Sequence, residues 1–192
     1  MDPRAAEVLD WWFGPAPGEV RTLWFTKSAQ TDQEIAERFG LLIDEALAGR
    51  LAGWHSPPAN AELALARILL LDQFTRNVFR DRERSFAGDA LALDAARALC
   101  AAGLDASLPP LRRAFVYMPF EHAEDLACQD EAVARFTRLA QEAPVLQGML
   151  DYAHKHREVI ARFGRFPHRN AILGRRSTAE EQDFIDTPGT AF

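Results

Sequence analysis

Residues 63–77 read Leu63-Ala64-Leu65-Ala66-Arg67-Ile68-Leu69-Leu70-Leu71-Asp72-Gln73-Phe74-Thr75-Arg76-Asn77. From Leu63 to Phe74 this stretch is apolar on nearly every face, which predicts a central helix wrapped by other elements. Strand-like alternation is not sustained anywhere in the chain, so the covering elements are expected to be helices as well.

On the N-terminal side, Asp2-Pro3 predicts a helix through Val8, Leu9, Trp12 and Phe13 that Gly14-Pro15 ends. Residues 14–29 form a loop whose Trp24 and Phe25 are expected to pack back on the core. Thr31 with Glu34 has the pattern of a capping box for a helix from Ile35 to Leu47, and Ser56-Pro57-Pro58 breaks the chain before the central helix. On the C-terminal side, a loop at 80–85 leads into an Ala-rich helix from Gly88 to Ala102, stopped by Gly103. Pro109-Pro110 opens the next helix, in which Pro119 removes a backbone donor and predicts a kink. Helices over 125–142 and 145–163 come next. An irregular segment begins at Gly164, and Ser177 with Glu180 is read as the cap of a last short helix. About eight helices with short connections predict one all-α domain over 1–192, a bundle or an array of antiparallel pairs.

Composition agrees. The 192 residues include 33 Ala and 22 Leu against 21 Val, Ile and Thr together, a helix-favouring balance. The formal charge of −6 argues against a general nucleic-acid binder. Cys100 and Cys128 lie apart and read as small buried thiols in a reducing compartment, not as nucleophiles. The longest apolar run is too short to span a bilayer, and a cytoplasmic location is expected.

Three groups of residues depart from this plain pattern. In residues 162–176, Arg162, Arg165, Arg169, Arg175 and Arg176 stand with His168 and no carboxylate, interleaved with Phe163, Phe166, Ile172 and Leu173. Apolar neighbours pull these cations inward, where they need carboxylates of the core or a bound phosphate or carboxylate. Asp72 shares the buried face of Leu65, Ile68 and Leu69, so it needs a partner, for which Arg165 or Arg169 is a candidate. Gln73, Arg76 and Asn77 complete that helix end. Glu121-His122-Ala123-Glu124-Asp125 comes just after Pro119, with His122 on the inward face of Phe115, Met118 and Leu126. His156 shares its face with Met149, Tyr152, Val159 and Phe163. Two inward histidines beside carboxylates suit acid–base chemistry. Their spacing matches no established metal-ligand motif, so neither a metal nor another cofactor is expected. The aromatic group Trp11, Trp12, Phe13, Trp24, Phe25 and Trp54 reads as core.

Taken together, these motifs resemble the bacterial DUF924 family. They are Val8-Leu9-Asp10-Trp11-Trp12-Phe13-Gly14, Trp24-Phe25, Leu69 to Asn77, Tyr117-Met118-Pro119 with Glu121 to Asp125, and Phe163 to Arg176 with Ser177-Thr178. The resemblance runs almost end to end. Where that family usually reads His-Ser-Glu, this chain has His122-Ala123-Glu124 and lacks the hydroxyl. The resemblance implies an all-α fold of the tetratricopeptide-like superfamily and no particular reaction.

Two functional expectations arise, both built on one polar centre between helices. In the first, the Arg, His and carboxylate residues fix helix register in a scaffold or partner-binding protein, with Asp72, Gln73, Asn77, Glu121 and Asn170 as its structural polar network. In the second, the centre holds a small anionic metabolite, with Arg76, Arg165, His168 and Arg169 binding the anion and His122, Glu124 and His156 as catalytic candidates. Neither expectation includes a nucleic acid or a membrane as partner.

Overall fold

The computed structural model describes residues 2–15, 18–54 and 60–187. Among them the chain forms eight helices and no strand. They are α1 (Pro3–Phe13), α2 (Ala29–Leu47), α3, α4 (Asp89–Ala101), α5 (Pro110–Glu121), α6 (Leu126–Glu142), α7 (Gln147–Phe163) and α8 (Ala179–Asp186). Helix α3 is continuous from Ala61–Ile68 through a π-helical stretch, Leu69–Phe74, to a last turn, Thr75–Val78. The expected break at Ser56-Pro57-Pro58 lies outside the described residues.

Helix α3 is the centre, as its all-round apolar sequence requires: α1, α2, α4 and α5 all pack against it. The last helices form a second group, α5 on α6 and α6 on α7. Helices α1, α2, α3 and α5 meet in an aromatic core in which Trp12, Phe39, Phe74 and Phe115 are all but inaccessible to solvent. Their rings meet edge to face or tilted, as in Trp12 against Phe115 at 5.6 Å and Phe39 against Phe74 at 5.2 Å, geometries that suit the ring quadrupole. A smaller cluster of Val159, Ile160 and Phe166, flanked by Phe163 and Phe184, anchors the C-terminal segment.

The π-helical turns are the first departure from the sequence reading, which makes α3 a regular α-helix. A π-turn inserts one residue and rotates the remainder of the helix, so all six side chains from Leu69 to Phe74 are buried, Asp72 and Gln73 included. The Leu71 carbonyl in this stretch accepts from Thr75 Oγ1 at 2.8 Å. It also faces Gly88, where an added Cβ would stand 2.1 Å from the carbonyl oxygen, so only glycine permits the approach.

Helix ends account for most other differences. Helix α2 begins at Ala29, capped by Ser28, whose hydroxyl accepts from Thr31 N–H; Glu34 of the expected box instead accepts from Trp11 Nε1 at 2.6 Å. The last cap shifts by one residue: Thr178 and Glu181 form the reciprocal box, while Ser177 Oγ accepts from Asn170. Pro119 falls in the final turn of α5, close to its end at Glu121. Asp125 is the N-cap of α6 rather than its first residue. Phe25 and Leu126, expected to face inward, are 57% and 43% exposed.

Candidate functional site

The loop between α1 and α2 satisfies the orphan carbonyls that end α1. Arg21 Nη1 donates to the carbonyls of Trp11 and Trp12, and Trp24 Nε1 donates to that of Trp12 at 3.0 Å. Pinned in this way, the loop forms one wall of a cavity of about 520 Å³. The opposite wall comes from the start of α7 and the turn before it, with Val145, Leu146, Met149 and Tyr152. The polar lining is Gln73, Arg76, Asn77 and Arg80 from α3 and its end, Glu121 and His122 from the end of α5, and His156 from α7. Helices distant in sequence thus bring the separate polar motifs to one concave surface.

Asp72 lies directly behind that lining and is fully buried. Its Oδ1 is 2.6 Å from Nδ1 of His122 and 3.1 Å from Nη1 of Arg76, and its Oδ2 accepts from Gln73 Nε2 at 2.6 Å. Burial by itself would raise this carboxyl, but the charges of His122 and Arg76 and the hydrogen bonds from His122 and Gln73 hold it well below the usual carboxylate range. The partner expected from Arg165 or Arg169 is therefore Arg76, one helical turn away on the same helix. Arg76 also forks onto Asp89 through Nη1 and Nη2 at 2.9 and 3.0 Å, a bidentate pair at the first turn of α4. Burial disfavours its charge, yet Asp72 and Asp89 outweigh that and raise its pKa.

A second carboxylate–imidazole pair stands beside the first. Nδ1 of His156 is 3.0 Å from Oε1 of the buried Glu121 and 2.9 Å from the carbonyl of Tyr152. The two imidazole centroids are 6.2 Å apart. In both rings Nδ1 faces protein acceptors, which fixes the orientation of the imidazole.

The remaining expected site residues lie outside the cavity lining. Glu124 accepts from both Nη1 and Nη2 of Arg175, at 2.6 and 2.9 Å, and from Phe166 N–H at 2.8 Å; burial would raise this carboxyl, but those bonds lower it. Arg175 also reaches Asn170 Oδ1. Arg165 forks onto Glu181, which its hydrogen bonds bring down to about 2. Arg169 is stacked between the rings of Phe86 and Phe166, at 4.6 and 4.5 Å, and donates to Asp89 and to the carbonyl of His122. Burial lowers its pKa to about 10. His168 is held neutral near pH 7, lowered to about 4 chiefly by burial and then by the Arg169 charge. Burial also pushes the Cys100 thiol up to about 12, far from the thiolate that a nucleophile requires. Among the described residues no group of three metal-ligating side chains converges.

Sequence reasoning missed Asp89, Asp32, Arg80, Lys27 and Phe25. Asp32 takes both Nε and Nη2 of Arg80 at 2.9 Å and the Asn77 amide at 2.8 Å, closing the rim below α2. The signals for these residues are slight: Asp89 opens a helix directly after Gly88, and Lys27 is one of two lysines in a chain with 20 arginines.

What the fold and this geometry define is an all-α protein with a ligand-sized cavity floored by two carboxylate-held histidines. The chain belongs to the DUF924 family, described as bacterial proteins of unknown function, whose model matches residues 8–189. It is similar to the solved structure of ATU0120 from Agrobacterium tumefaciens, itself a protein of unknown function. The two share 39% identity over 95% of this chain and 96% of that one, with a TM-score of 0.81. Comparison with curated proteins gave no match. No helix among the described residues is long and apolar enough to cross a membrane.

Proposed function

We propose that the chain binds a small anion-bearing organic molecule in the cavity between α3, α5 and α7 and carries out acid–base chemistry on it. The observation that carries this reading is the His122–Asp72 pair in the cavity wall. A buried carboxylate orients the imidazole toward the ligand space, the arrangement that a general acid or base needs. His156 on Glu121 is the second proton carrier, on the same wall. Arg76 and Arg80 supply positive potential for the anion, though their forks are already engaged by Asp89 and Asp32, so the ligand meets a nearly neutral, hydrogen-bonding floor. In this reading Asp72 takes the place beside His122 that the sequence offers to Glu124, and Arg165, His168 and Arg169 act as supports that hold the His122 backbone and the C-terminal segment in place.

The partner-binding reading, with a tetratricopeptide-like array as scaffold, draws on the exposed apolar side chains Val20, Phe25, Val145 and Tyr152. All four also line the cavity, which favours a ligand entering the fold over a partner lying on a flat face.

The test is a thermal-shift screen with phosphorylated and carboxylated small metabolites, followed by titration calorimetry of any hit. His122→Gln is expected to weaken a hit at least tenfold, and Arg162→Ala, in an exposed ion pair outside the cavity lining, to leave it unchanged. A hit indifferent to both His122→Gln and His156→Gln overturns the assignment.

A further inference from the structure

The cavity mouth carries a second kind of information, independent of the histidines. Val20, Phe25, Val145 and Tyr152 are 44%, 57%, 67% and 51% exposed, and they come from the two facing walls, the α1–α2 loop and the start of α7. Large apolar side chains exposed singly are ordinary; four around one opening are a patch that water covers at a cost. Inside the mouth the apolar lining continues through Leu23, Trp24, Met118, Leu146 and Met149. Most of the polar floor lies on the side made by α3 and the end of α5, with His156 of α7 beside it.

Charge at the opening is asymmetric. Among the described residues, the arginine and lysine side chains that line the cavity are Arg76, Arg80 and Lys27. Arg76 and Arg80 are each forked onto an aspartate, whereas Lys27 is exposed and has no carboxylate partner among the described residues. An ammonium on a flexible stem, next to an apolar wall, keeps its head in water while its methylenes lie on the rings. It is therefore the cation best placed to take an anionic group without first breaking an internal ion pair.

We infer that the natural ligand is an amphipathic anion, a carboxylate or phosphate joined to a medium-length alkyl or aryl body, with Lys27 as the residue that selects its charge and the ring of Phe25, Tyr152 and Val145 as the surface that covers its tail. This rests on the proposed ligand site and sharpens it. Compact polar anions would leave the four mouth side chains in water and gain nothing from the apolar walls. A neutral amphiphile would fill the walls but leave Lys27 unused. A cavity of about 520 Å³ is within the range of small-molecule sites and large enough for such a body.

The test is titration calorimetry of the intact chain with four probes: decanoate, 4-phenylbutyrate, decanol and inorganic phosphate. At least one of the two organic carboxylates is expected to bind in a 1:1 ratio, at least tenfold more tightly than phosphate and fivefold more tightly than decanol. Lys27→Met should abolish the preference over decanol while leaving decanol binding intact, which shows that the variant is folded. Phe25→Ser should weaken the carboxylates and leave phosphate unaffected. Phosphate binding as tightly as the carboxylates overturns the amphipathic inference but leaves the anion site standing. Decanol matching decanoate on the unaltered chain overturns the role of Lys27. Absence of binding by every probe overturns the inference together with the site reading beneath it.

Discussion

The segment from Arg162 to Glu181 and the floor of the cavity are built from the same residue types, yet they use them in opposite ways. In the first, every paired guanidinium finds a carboxylate or carbonyl within the segment or on its neighbours: Arg162 on Glu180, Arg165 on Glu181, Arg175 on Glu124, and Arg169 on Asp89 and the His122 carbonyl. The contacts of Arg169 and Arg175 tie the irregular C-terminal segment to α4 and the end of α5, and those of Arg162 and Arg165 tie it to α8. On the cavity floor the pairs are equally short, but His122 and His156 also line the cavity. The lesson is that a dense cluster of charges in the sequence marks where the chain needs fastening, and a sparser one, placed by helices far apart in sequence, marks where chemistry can occur.

This contrast can be broken by substitution, and the largest effect belongs to the floor. Asp72→Ala leaves Arg76 and His122 without their buried counter-charge and should cost about 3–5 kcal/mol in urea unfolding. A loss below 1 kcal/mol would mean that water or relaxation replaces the carboxylate and that the pair is not held as described. Next in size is the pH response of the fastening segment. His168 is lowered to about 4 in the fold from an ordinary value near 6.5, so the unfolded chain binds its proton first as pH falls. Stability contributed by its neutral form is fully present above pH 6.5 and is lost as pH drops from there towards 4, by at most about 3 kcal/mol. Denaturant melts of the parent and His168→Gln should therefore diverge in slope across that window; parallel curves would contradict the buried neutral imidazole. Glu181 adds a separate loss at lower pH, between its ordinary range and about 2.

Gly88→Ala comes third. A methyl group against the Leu71 carbonyl must push the α3 π-turn or α4 aside, at about 1–3 kcal/mol, and the His122 ring resonances should move because Asp72 moves with the turn. Stability lost with the His122 resonances unmoved would separate the π-turn from the site. The smallest effect is that of Arg165→Ala. It removes a half-exposed fork onto Glu181, should lower the thermal midpoint slightly, and should leave ligand response untouched. Loss of ligand response in that variant would erase the distinction between the two regions.

How far the sequence reaches differs between the same two regions. The central helix, the order of the eight helices and the inward faces of Asp72, His122 and His156 are legible because helical periodicity is local, and an apolar run that includes Asp72 places it with Leu65, Ile68 and Leu69. The pairing is not legible. Asp72 finds His122 and Glu124 finds Arg175, because such partner choice depends on how segments about 50 residues apart are set against one another, while Arg76, four residues on in the same helix, takes the place expected of Arg165 or Arg169. The π-turn has no signature in Leu69 to Phe74. Within it the Leu71 carbonyl accepts from Thr75 Oγ1 and lies against Gly88, a contact between segments that no local pattern encodes. Phe25 reads as core because its neighbour Trp24 does; the loop's short 3₁₀ turn sends the two rings in different directions, with Trp24 5.0 Å from Phe115 and Phe25 facing solvent.

The central claim is that the His122–Asp72 and His156–Glu121 pairs face a ligand site. The most direct measurement is long-range ¹⁵N–¹H NMR of the histidine side chains during titration with decanoate and, separately, inorganic phosphate. The account predicts that the Nε2 resonances of His122 and His156 shift together and saturate with one probe or the other, while exposed His154 on the outer face of α7 stays still. Stationary His122 and His156 signals under both probes, or shifts confined to His154, would contradict it.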